Sequence, residues 1–122
     1  MRTLAFIRLA AVALVLAAHT AAAQTAPAPL FGVHFETGSA WNKALAPADQ
    51  KGFKEHSANL NRLRNEGTII FGARYGDLGM IFVRAESLDA AKALIEAEPG
   101  VQSGIFSFRI ALLRVFYPWR QP

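Results

Sequence analysis

"TIIFGARYGDLGMIFVRA", residues 68–85, decides the fold. Two β-rich runs, Thr68–Arg74 and Met80–Ala85, flank the turn residues of "YGDLG", and together they read as a hairpin. Helical periodicity lies on either side. Upstream, from about Asp49 to Glu66, Phe53, His56, Leu60, Leu63 and Gly67 fall within an arc of roughly 80° when each residue turns the helix by about 100°. Arg62 and Arg64 stand in the last turn, Gly67 is a natural C′ residue, and Pro47 or Asp49 marks the start. Downstream, Ser87 caps a second helix with Asp89 in its first turn, which runs through "LDAAKALIEAE" and stops at Pro99-Gly100.

Two further strands complete the set. "LFGVHFETG", residues 30–38, alternates apolar and β-favouring residues up to its glycine, and "GIFSFRIALLRVF", residues 104–116, is the last long run. The order β-α-β-β-α-β predicts an α+β, ferredoxin-like antiparallel sheet with two helices on one face, built from one domain over residues 30–118. Both faces of the last strand are largely apolar: Phe106, Phe108, Ile110 and Leu112 on one, Ile105, Ser107, Arg109, Ala111 and Leu113 on the other. A half-solvated strand shows one polar face. A second copy packed on the open face, giving a homodimer, satisfies that pattern, as does partial cover by the chain end "YPWRQP".

The chain opens with Arg2 and Arg8, an apolar run from Leu9 to Ala18, and small residues Ala21-Ala22-Ala23 before Gln24. Charged start, apolar middle and small-residue cleavage site are the order of a secretory signal peptide, residues 1–23, followed by a linker, residues 24–29. The apolar run is well short of the ~20 residues that span a bilayer. The expectation is export to the periplasm or beyond, with no membrane attachment after cleavage. Without Arg2 and Arg8, the thirteen Lys and Arg fall to eleven against nine acids, a net charge of +2. The remaining cations are scattered singly, with no run to track a phosphate backbone, so no nucleic-acid partner is expected. There is no cysteine, hence no disulfide to support so small a core.

The residues then carry a resemblance. A histidine on the first helix (His56), "EG" at its end (Glu66-Gly67), a glycine-rich hairpin, "RAESL" leading into the second helix, and "EPGVQSGIF" with Gly104-Ile105 follow in order. The set resembles the YCII-related family of small dimeric α+β barrel proteins, over nearly all of the chain past the leader. The resemblance implies a histidine and an aspartate as catalytic partners in a pocket between helix and sheet. Carried over, the histidine is His56, and the aspartate's position holds Glu98, one methylene longer. Gly100 stands where relatives have a bulky residue, and Ala73-Arg74 where they often have Gly-Pro.

Chemically, a carboxylate beside an imidazole favours its protonated form and fixes its tautomer, leaving the other ring nitrogen free to move a proton. That points to elimination, isomerisation or tautomerisation of a small organic molecule. The plain readings remain open: His56 as a core histidine satisfied by a carbonyl or water, and Glu98 as a solvated helix-end carboxylate, which the dipole disfavours there. So does a module of the cell envelope that binds a small ligand without catalysis. Arg74 either grips an anionic substrate group bidentately or is a hairpin charge facing water. Trp41 is placed to wall the pocket, and Trp119 to pack or meet a partner. His34, in the first strand, is a further substrate-binding candidate. With Glu36, or with His56 and Glu98, it lacks ligand spacing, so no metal and no cofactor is expected. No serine sits in a nucleophile elbow and no glycine-rich phosphate loop is present, which leaves acyl and phosphoryl transfer without support.

Overall fold

The computed structural model describes residues 26–121; the expected signal peptide and the first two linker residues lie outside them. The elements are β1 (Leu30–Thr37), a 3-10 turn (Pro47–Asp49), α1 (Phe53–Asn65), β2 (Ile69–Tyr75), β3 (Leu78–Arg84), α2 (Leu88–Glu96), α3 (Pro99–Gln102) and β4 (Phe106–Leu112). The sheet order is β2-β3-β1-β4 with every neighbouring pair antiparallel, so the ferredoxin-like α+β arrangement holds. Val33, mid-β1, lies opposite Ile81 on one side and Ile110 on the other.

Local chemistry accounts for the element ends. Gly52 has φ +93°, a left-handed conformation that breaks any helix begun at Asp49, so α1 starts four residues later than its periodicity suggests. At its other end, Gly67 at φ +79° donates to the Arg64 carbonyl while Thr68 donates to the Leu63 carbonyl, a Schellman closure. Ser87 accepts from the Ala90 amide at 3.0 Å, as its capping position predicts. Gly76 at φ +58° opens the two-residue hairpin turn as a type II′ connection requires.

Two expectations need correction. Pro99-Gly100 does not simply stop the second helix: α2 ends at Glu96 and Pro99 is the first residue of α3, so the sheet carries three helices rather than two. The last strand is Phe106–Leu112, shorter than residues 104–116, because Gly104 at φ +76° turns the chain before it.

Phe31, Val33 and Phe35 of β1, Ile81 and Val83 of β3, and Ile95 of α2 are buried between sheet and helices. Each large side chain so placed contributes about 1.5–3 kcal/mol. The ladder between β2 and β3 slips: Ile69 opposes Val83, but Phe71 opposes Phe82. This bulge inserts Ile70 and inverts the alternation beyond it. Gly72 and Arg74 therefore pair with Ile81 and Gly79 on the helix-facing side, while Phe71, Ala73 and Tyr75 face outward. The chain end does not fold back over the outer face: Phe116, Tyr117 and Trp119 are each more than four-fifths exposed.

Candidate active site

Beyond the tip of the packed core, α1 and the loop before it part from the β2–β3 hairpin and leave a cavity of about 630 Å³. His56, in the second turn of α1, forms part of its wall and is only 7% exposed. Three phenylalanines hold the imidazole: Phe35 edge-on at 5.5 Å between centroids, Phe53 at 5.9 Å and Phe106 at 4.6 Å.

Glu98 answers it. The residue is 1% exposed and stands in the step between α2 and α3. Its Oε2 accepts from the amides of Gly100 at 2.9 Å and Val101 at 3.1 Å, so it is the N-cap of α3. The expectation of a carboxylate at a helix C-terminus is thereby overturned, because the relevant helix end is the start of the next helix. Its other oxygen, Oε1, stands 2.9 Å from His56 Nδ1. Both atoms are sealed from solvent and neither makes a well-aligned hydrogen bond elsewhere. Each has only the other, in close polar contact rather than a straight bond. With Glu98 as the carboxylate, a hydrogen on Nδ1 makes this contact attractive, whereas two bare lone pairs at that distance repel. Nε2 is then the nitrogen left for the cavity.

The contact depends on an absent side chain. A Cβ at position 100 would meet Phe106 Cδ2 at 2.7 Å, His56 Nδ1 at 2.9 Å and Glu98 Oε2 at 3.0 Å. Glycine at this position leaves the room in which acid and imidazole meet.

The other candidates divide. Trp41 lines the cavity and packs on Phe106 at 5.6 Å. Arg74 lines the opposite wall, brought to the helix side by the bulge. His34 lies on the outer face, between Met80 and Arg109 in the ladders, and takes no part in the cavity. Among the described residues no three His, Asp or Glu side chains converge as a metal site.

Gln50 was not singled out by its sequence setting, yet it is 4% exposed. Its amide accepts from Asn42 N and donates to the carbonyls of Asn42 and Leu45, which pins the loop that carries Trp41 and Pro47 over the cavity. A polar residue two places ahead of the helix N-cap glycine was the only signal. Phe35 and Phe106, also unflagged as site residues, were legible as inner-face positions of their strands.

A family model of the YCII-related domain matches residues 34–113, more than half of the chain. No curated protein matches it.

Proposed function

We propose, for a chain that belongs to the YCII-related family, that it is an enzyme of proton transfer acting on a small organic molecule, with His56 as general acid/base. The observation that carries the reading is the buried acid in contact with an imidazole at the wall of a cavity. Nε2 takes a proton from an activated C–H or O–H of the substrate. The resulting imidazolium is stabilised by the Glu98 carboxylate, whose own charge the Gly100 and Val101 amides support. The electron pair left on the substrate either forms a new double bond as a leaving group departs with its electrons, or moves so that the proton returns at another atom. Acid/base assistance of this kind contributes about 10²–10⁴-fold. In the same reading the protein is exported and works as a homodimer. The outer sheet face, with Phe71, Phe82 and Leu113, receives the second copy; sedimentation at twice the monomer mass is the expected result.

The test is deuterium uptake. A panel of enolisable β-diketones and β-keto acids is incubated with the protein in D2O and followed by NMR. Carbon-bound deuterium accumulates with wild type on at least one member, slows by about 10²-fold or more with His56→Ala, and slows about tenfold or more with Glu98→Gln. Equal uptake with His56→Ala and wild type defeats the assignment.

A further inference from the structure

We infer that the substrate class of this cavity is a small flat molecule bearing one carboxylate, held by Arg74 with its plane against the backbone of Gly72 and Gly79. The inference rests on the cavity being the reaction site. Its grounds lie on the wall opposite His56.

The first is the floor. On the helix-facing side of the hairpin, Gly72 stands opposite Ile81, and Gly79, one pair nearer the turn, stands opposite Arg74. A Cβ at Gly79 would meet nothing nearer than 3.8 Å, and one at Gly72 nothing nearer than 3.6 Å. Side chains fit there without a clash, so packing does not demand glycine at either place. What the two glycines, diagonal neighbours across the ladder, provide is bare backbone lining the cavity, the condition for close approach by a flat ligand. Trp41 and Phe53 also line the cavity.

The second is the charge. Arg74 is exposed, and none of the ion pairs or side-chain hydrogen bonds among the described residues involves it. Its position is not that of a random hairpin charge: the bulge turns it inward, directly opposite Gly79. A free guanidinium at the end of a flat apolar floor matches a carboxylate through two parallel N–H···O bonds. Apart from His56, engaged by Glu98, it is the only cation lining the cavity, which also holds Glu36 and Asp77. Glu36 is taken by Arg109. With Asp77 in the same lining, a single guanidinium leaves no surplus positive charge for a phosphate dianion, and the planar two-bond match is what favours a carboxylate.

Size agrees. A cavity of about 150 Å³ holds benzene, so about 630 Å³ accepts a substituted ring with its acid group and bridging water. With the carboxylate on Arg74, the far side of such a molecule points across the cavity to His56 Nε2.

Benzoate is the probe and benzamide its neutral shape-match, with cyclohexanecarboxylate as the non-planar acid and phenylphosphonate as the dianion. Binding to the protein is followed by calorimetry or ligand-observed NMR. Benzoate binding at least tenfold tighter than each of the three is expected. Arg74→Gln removes that advantage over benzamide while leaving benzamide binding within twofold, and Gly79→Val weakens benzoate tenfold with Arg74 intact. Equal binding of benzoate and benzamide, unchanged benzoate binding in Arg74→Gln, or tighter binding of phenylphosphonate each overturns the inference. So does the absence of binding by any probe. Benzoate binding is read with His56 intact, separately from deuterium uptake. Arg74-dependent binding without deuterium uptake therefore removes the acid/base reading alone, and His56-dependent uptake with indifferent Arg74 removes this one alone.

Discussion

Glu98→Ala lowers stability by about 2–4 kcal/mol, the cost of leaving a buried imidazole N–H without an acceptor and a helix without its cap. The substitution deletes the cap of α3, worth about 1 kcal/mol, and strands His56 Nδ1 inside its cage of phenylalanines with no acceptor. Urea unfolding with a two-state fit measures the loss. A loss below about 1 kcal/mol shows that the pair is not a buried pair in solution.

Glu98→Gln separates stability from chemistry. The amide oxygen can still cap α3, and the amide nitrogen can donate to Nδ1 only if the imidazole moves its hydrogen to Nε2. The protein then stays folded, with a loss nearer 1–2 kcal/mol, but the nitrogen facing the cavity no longer accepts a proton. Ring ¹⁵N shifts read the exchange directly: hydrogen on Nδ1 in the neutral wild-type ring, on Nε2 in the variant. Hydrogen on Nε2 in both removes Glu98 as the orienting group.

Gly100→Ala carries the second large effect. The added methyl lies inside contact distance of Phe106, His56 and Glu98 at once. All three are packed, so the cost is about 1–3 kcal/mol of overpacking, together with separation of the acid from the imidazole. Combining it with Glu98→Asp partly relieves the damage. Aspartate caps the helix as well as any residue, and its carboxylate draws back by one methylene from where the new methyl sits. The double variant is expected to be more stable than Gly100→Ala alone, with a coupling of about 0.5–3 kcal/mol in a double-mutant cycle. Simple additivity would show that positions 98 and 100 do not compete for the same space.

This coupling also shows where sequence reading stops. The element order was legible because Gly67, Ser87 and the Gly76 turn each act through their own backbone and near neighbours. His56 stood out as an imidazole on an apolar helix face, and Glu98 through family resemblance. The capping role of Glu98 was obscured because glutamate is not among the favoured caps; Pro99 at the first helical position was the signal that marked a new helix. Arg74 was unreadable for a different reason. Its facing depends on the slip at Ile70, and a bulge is settled by what lies across the ladder, not by the residues of the strand itself. His34 shows the converse: the alternation in β1 that buries Phe35 necessarily turns its neighbour outward.

The place of β1 between β3 and β4 has a consequence for how the molecule comes into being. A strand from the first third of the chain acquires its second neighbour only from residues 106–112. Synthesis therefore delivers every residue from 30 to 112 before the sheet can close. Until then β1 shows an open edge, and the long separation between its partners slows completion. A chain ended before Phe106 has no route to the native sheet. The last strand to emerge is the one that makes the rest permanent.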